Sequence, residues 1–297
     1  MTGSIPPFSA NPLQDAATML SYDFMRYAFS AGTCIALAAG LVGYFVIARN
    51  QVFTSDALGH VAFTGGMGGV LMGLPLVPAV FATTVAGALG VGALGGRARG
   101  RDVAIGTLFA WVLGLGALCL SLYTTARSGA SGIVGVTVLF GSMLSLEAGQ
   151  TRLAVVGGLA VASAMILICR PLLFASVDPD VAAARGVPTR WLAALFLILL
   201  GATVAEAVQA VGALLIFGLL VTPAAAAQNL TARPYVGVAL SALLAVAFVW
   251  IGLTLAFYFP YPASFFITAV AFVGYLLSVV VTRFGRAGAR HQMPAAH

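Results

Sequence analysis

Apolar residues come in long runs along this chain, broken by short polar or glycine-rich intervals. The runs cover about 24–48, 56–74, 76–96, 103–123, 152–170, 191–211, 212–229, 235–257 and 263–282. None alternates with period two, so each predicts a helix and not the strand of a barrel. A helix needs roughly 20 apolar residues to cross a bilayer core. Only helices and closed barrels satisfy their backbone groups there. The pattern therefore predicts an all-α integral membrane protein with about nine transmembrane helices. A further apolar piece, 132–146, is too brief to cross. Residues 1–22, with Pro6, Pro7 and Pro12, read as an N-terminal tail, 23–283 as the transmembrane domain and 284–297 as a C-terminal tail.

Composition agrees with lipid as the solvent. The 297 residues are 61% hydrophobic and 7% charged, against about 25% charged in soluble domains. All 14 basic residues are arginine, and they sit between the apolar runs. That placement reads as membrane topology and not as nucleic-acid binding. Putting the 97–101 loop inside and alternating leaves Arg49, Arg97, Arg99, Arg101, Arg170, Arg185, Arg190, Arg233, Arg283, Arg286 and Arg290 cytoplasmic. Only Arg26, Arg127 and Arg152 fall outside, so the N-terminus is expected outside and the C-terminus in the cytoplasm. No basic residue precedes Arg26, so the start does not read as a cleaved signal. Cys34, Cys119 and Cys169 lie within apolar runs without metal-type spacing and read as small core residues. A P-loop needs a lysine on the phosphates. The chain has none, so it cannot hydrolyse ATP by that route.

Ionisable groups within membrane spans are costly and concentrate at functional sites. Asp56 and His60 are the most informative pair. Their i, i+4 spacing puts both on one helix face, where a carboxylate and an imidazole can converge on zinc, manganese or iron. Two other readings stay open for them: an N-terminal cap in which Asp56 bonds His60, and a proton relay. Glu206 and Gln209, one turn apart, are candidates for a polar pathway; Glu206 could equally face headgroups at the interface. Glu147, after the 132–146 piece, reads as solvated. In 174–187, Asp178 and Pro179 have the form of an N-cap and first turn, with Gly186 and Pro188 ending a short helix. Its alanine-rich face fits a protein groove better than lipid.

Three stretches carry a family resemblance over about 22–282. The first is Phe53 to Gly65, holding Asp56 and His60, similar to an aspartate–three–histidine segment, with Gly59 where the family usually has serine. The second is Phe174 to Gly186, similar to an F-x-S-x-D-P-x-x-A-x-x-x-G segment. The third is Val208 to Ala227, similar to a V-G-x-L-L…P-A-A-x-A run. Together they resemble the membrane permeases of ABC importers for zinc and manganese. The resemblance implies a type II ABC importer-like fold in a bacterial inner membrane. It implies Asp56 and His60 as intramembrane ligands of the transported metal or gate residues on its path, with no permanently bound cofactor. It makes 174–187 a coupling helix for an ATPase, with Phe174, Ser176, Asp178, Pro179, Ala183 and Gly186 carrying the motif. The implied partners are a cytoplasmic ATP-binding subunit, an extracellular or periplasmic metal-binding protein and a second copy of the chain. The rival readings are a siderophore or vitamin ABC permease, which would not need Asp56 and His60, and a proton-coupled secondary transporter. A membrane enzyme is the weakest reading, since one histidine outside the last seven residues is thin provision for catalysis.

Overall fold

A computed structural model describes residues 12–93, 101–126, 131–141, 143–213 and 216–290. The stretch 94–100, holding most of the expected arginine loop, lies outside them, as do both ends of the chain. Among the described residues are thirteen α-helices and no strand. They are α1 (Pro12–Ser21), α2 (Asp23–Ala48), α3 (Val52–Leu71), α4 (Leu76–Ala93), α5 (Arg101–Ala126), α6 (Ser131–Phe140), α7 (Ala148–Val177), α8 (Pro179–Ala184), α9 (Thr189–Val211), α10 (Ile216–Leu220), α11 (Thr222–Leu230), α12 (Pro234–Tyr258) and α13 (Ala263–Arg290).

Seven of these helices, α2, α4, α5, α7, α9, α12 and α13, are long and apolar enough to cross a membrane. Two expected spans take another form. Helix α3 has the length, at 20 residues, but Asp56, His60 and its several glycines make it more polar. The run over 212–229 becomes α10 and α11 nearly end to end, 15 residues from Ile216 to Leu230. At 1.5 Å per residue that is about 22 Å, short of a ~30 Å hydrocarbon core. The cause is local. Gly212 ends α9 at φ +88, and Pro223 opens a new helix at α11. The residues expected as a tail also differ, because 12–21 form α1. Met19 is buried with Met25 and Phe257, so the end of α1 is pinned to the bundle.

Helices α2 and α9 are the most enclosed of the long helices, and α5 and α13 the least. Small residues bring the enclosed helices close. Ser241 Oγ on α12 donates to the Gly40 carbonyl of α2 at 2.6 Å. Gly65 and Gly69 of α3 back onto Thr83 and Ala79 of α4. Gln228 of α11 donates to the Tyr44 carbonyl at 3.2 Å, and Thr282 of α13 to the Asn229 carbonyl at 3.1 Å. These contacts gather the C-terminal ends of α2, α11 and α13 at one end of the bundle, beside Arg49, Arg233 and Arg283.

At the α9 terminus, Gly212 packs against the Leu139 carbonyl of α6, and the Ala213 amide donates to the Val138 carbonyl at 3.0 Å. A side chain at that φ is strained whatever space surrounds it. Gly212→Ala is expected to cost about 1–3 kcal/mol, read as a lowered unfolding temperature of the purified protein in detergent.

Candidate functional site

The link from α2 to α3 is short. Arg49 caps α2, Asn50 takes φ +52, and the Gln51 amide donates back to the Val46 carbonyl at 2.8 Å. Helix α3 then begins at Val52, with Gln51 as its N-cap residue. Asp56 is therefore a full turn inside the helix, which removes the capping reading.

Asp56 and His60 share a stripe of α3 with Phe53 and Thr64, each three or four residues from the next. Two members of the stripe fix its direction. The Phe53 ring meets Phe109 of α5 with centroids 6.0 Å apart, and Thr64 Oγ1 donates to the Val112 carbonyl of α5 at 2.7 Å. The stripe thus runs along the groove between α3 and α5. Asp56 and His60 are both half-buried there. Among the described residues no hydrogen bond or ion pair engages either side chain, and no group of three or more His, Cys, Asp or Glu could hold a metal ion. The pair offers one carboxylate and one imidazole, fewer groups than a closed metal site uses.

The other side of α3 explains Gly59. Leu58 and Ala62 are fully buried in the main core, and a Cβ at position 59 would lie 2.9 Å from the Ala213 carbonyl oxygen. Glycine lets α3 lie against the turn after α9; a serine there would force that turn to shift.

The 174–187 segment has the expected local form. Asp178 Oδ1 accepts from the Val181 amide at 3.0 Å, Pro179 starts the six-residue α8, and Gly186 leaves it at φ +84. Ala182 is fully buried, while Val177 and Val181 are exposed, as are Ala183 and Gly186. Helix α8 therefore rests on one alanine and offers the rest of its small surface outward. Phe174 packs partly buried on the core.

Arg49 was legible only as a topological charge, yet it ties this segment down. Its Nη1 donates to Ser176 Oγ at 3.4 Å, and its guanidinium lies 5.6 Å from the centroid of the Phe196 ring of α9. Burial lowers the guanidinium from its ordinary value, but arginine remains charged at any physiological pH.

Glu206 is not at an interface: it is 1% exposed, in contact with Gly157 of α7. Gln209 is half-buried and donates to the Ala205 carbonyl at 3.3 Å. Both line a cavity of about 370 Å³ between α4, α7 and α9, to which Asp56 and His60 do not contribute. The two candidate sites are therefore separate places in the fold. Glu147, read as solvated, is exposed at the start of α7, its amide donating to Gln150 Oε1 at 3.2 Å.

Residues 21–282 match the model of a family described as the ABC 3 transport family. The chain is 31% identical over 229 residues to the "Manganese transport system membrane protein MntC" of Halalkalibacterium halodurans, covering 77% of each chain. It is 27% identical over 214 residues to the protein of the same name from Listeria monocytogenes, covering 72% of this chain and 74% of that one. A solved structure, "PsaBC from Streptococcus pneumoniae in complex with Fab", shares the fold with a TM-score of 0.78 at 23% identity, over 90% of this chain and 95% of that one.

Arg49→Ala removes the ring contact and the tie to Ser176 together. A cation–ring contact alone contributes about 0.5–2 kcal/mol, more as it is desolvated. The variant is expected to lose stability in that range, read by thermal unfolding, and Arg49→Lys to recover part of the loss.

Proposed function

The chain belongs to the ABC 3 transport family, and from that membership we propose that it is the membrane permease subunit of an ATP-driven importer for a divalent transition metal. The observation that carries the cargo is the Asp56–His60 pair. A carboxylate and an imidazole stand on one face of α3, half-buried and without a partner among the described residues. In lipid such a pair is costly unless it has a use, and oxygen with nitrogen ligation suits manganese, zinc or iron. The manganese transport systems named among the relatives favour manganese as the cargo.

The rest of the machinery follows from what one chain lacks. Two ligands per chain call for more, and a second copy facing the α3–α5 groove would bring a second pair. A site with few ligands holds its ion briefly, as a transporter requires. The chain has no lysine, so ATP hydrolysis falls to a separate ATP-binding subunit in the cytoplasm. Helix α8, standing outward on Ala182, is the surface that docks with it. The end of the bundle bearing Arg49, Arg233 and Arg283 then faces the cytoplasm, in keeping with positive-inside bias. An external metal-binding protein delivers the ion at the opposite face. Motion of α8 reaches the metal through Ser176, Arg49 and the three-residue turn into α3. A siderophore or vitamin cargo would leave Asp56 and His60 without work, and a proton-driven carrier would leave α8 without a partner.

Two experiments test this. The chain is reconstituted with its ATP-binding subunit in vesicles and manganese uptake is followed. Asp56→Asn and His60→Ala should each lower uptake by about tenfold or more at equal protein level; uptake close to wild type would remove the ligand role. Asp178→Ala should cost α8 about 1 kcal/mol of capping and reduce co-purification of the ATP-binding subunit, while unchanged co-purification and uptake would remove the docking role.

A further inference from the structure

Glu206 is the one acidic side chain among the described residues that is wholly enclosed, and neither of its oxygens has a hydrogen-bond partner there. The carboxyl is seated on Gly157 of α7: a Cβ on that glycine would run into Oε1. Beyond it lies the 370 Å³ cavity, walled by Val77, Pro78 and Phe81 of α4, Leu153 and Val156 of α7, and Gln209 of α9. Leu153 and Val156 also face outward, 63% and 67% exposed, so the cavity lies on an exposed flank of α7.

Among the described residues no counter-charge stands at the carboxyl. No ionisable side chain of α4 or α7 lines the cavity; Arg152, on α7, is exposed and outside the lining. On α9 the Gln209 amide already donates to Ala205. From α2 the Cys34 thiol is the ionisable group near enough to sense Glu206, and it is no cation. An isolated carboxylate in an apolar site neutralises before it tolerates burial. A divalent ion would not solve the problem, because one carboxylate and an amide oxygen leave the site with net positive charge. A proton cancels the charge completely and needs no further ligand.

We infer that Glu206 is a proton-binding site, occupied in this packing of α4, α7 and α9, and that it gives up its proton when the α7–α9 contact at Gly157 opens to water. The position gives this consequence. Helices α7 and α9 are the arms that flank α8 and run from it to the Gly157–Glu206 seat near their other ends, so a movement of α8 that shifts one helix against the other reaches that seat. The proton binds more tightly to the closed arms than to hydrated ones. Acid therefore favours the closed arrangement, and by linkage closing the arms draws a proton onto Glu206.

The transport arm of the test rests on the importer reading above; the spectroscopic arm does not. Infrared spectra of the whole chain in lipid nanodiscs, titrated with acid and base, are expected to show a protonated-carboxyl band at neutral pH that Glu206→Gln removes. Gly157→Ala, which pushes the carboxyl off its seat and toward the cavity, is expected to move the disappearance of that band to lower pH. In vesicles with the ATP-binding subunit, wild-type manganese uptake is expected to fall on the acid side. Glu206→Gln, fixed in the neutral form, should hold that low rate at every pH. Absence of the band in wild type, or a Glu206→Gln uptake profile that overlays wild type, would overturn the inference. So would a Gly157→Ala titration identical to wild type, which also serves if Glu206→Gln fails to fold. Lack of manganese uptake by wild type would strike the cargo reading alone, since the infrared titration reads the proton directly.

Discussion

Inside a bilayer no water stands ready to satisfy a polar group, and this shortage orders the whole molecule. Helices meet it for the backbone, which is why the described chain is almost wholly helical. Where the helical run breaks after α9, the break is hidden. The turn after α9 is buried, and the Ala213 amide finds the Val138 carbonyl at the end of α6. The short α10 and α11 that follow keep Ile216, Leu219, Leu220 and Ala224 buried, shielded from lipid by α2, α12 and α13. An incomplete span is tolerable in this fold because protein takes the place of lipid around it.

The same shortage sorts the acidic side chains by what they can do. Asp178 caps α8 from the end of the bundle, and Asp23 pairs with Arg26 before the first span is well under way. Two places remain deeper in. Asp56 sits beside an imidazole in a groove that is half-open, where a desolvating ion could be met by two ligand types and then passed on. Glu206 sits buried beside a largely apolar cavity, where a proton cancels its charge and needs no further ligand. Burial thus assigns opposite chemistry to residues that look alike in composition.

The sequence carried what local signals can encode. Apolar runs marked most of the long helices, and the Asp178–Pro179 and Gly186 punctuation marked α8 because capping and helix stops are read over a few residues. What it did not carry depends on contacts between distant parts of the chain or on backbone angles. The run 212–229 is mostly apolar, so hydropathy reads a span; the break lies in the φ of Gly212 and the placement of Pro223. Three prolines and several polar residues made 1–22 read as a tail, though Pro12 suits the first turn of a helix and opens α1. Arg49 counted as one more topological charge, because its bond to Ser176 joins residues 127 apart. The seat of Glu206 depends on a glycine of another helix, which no spacing rule could pair with it.

These distant contacts fall on one helix, α7, toward its opposite ends. Ser176 lies two residues before the Asp178 cap, and Arg49 links it to the turn that starts α3. Gly157 lies on the same helix α7, seated under Glu206 of α9. Helix α8 therefore connects to the interior through two arms that carry different groups: one leads to the Asp56–His60 face, the other closes over a lone carboxyl. Packed helices shift between discrete arrangements and do not deform smoothly. A push on α8 that shifts α7 against α9 would alter the surroundings of Glu206, while the α2–α3 turn leads instead to Asp56 and His60, the proposed ligands. Protonation of that carboxyl stabilises one of the two arrangements, so it can set how readily the arms part without touching the metal. On the proposed reading the α3 pair and the α9 carboxyl, being separate places in the fold, can be tuned independently, which a single shared site would not allow.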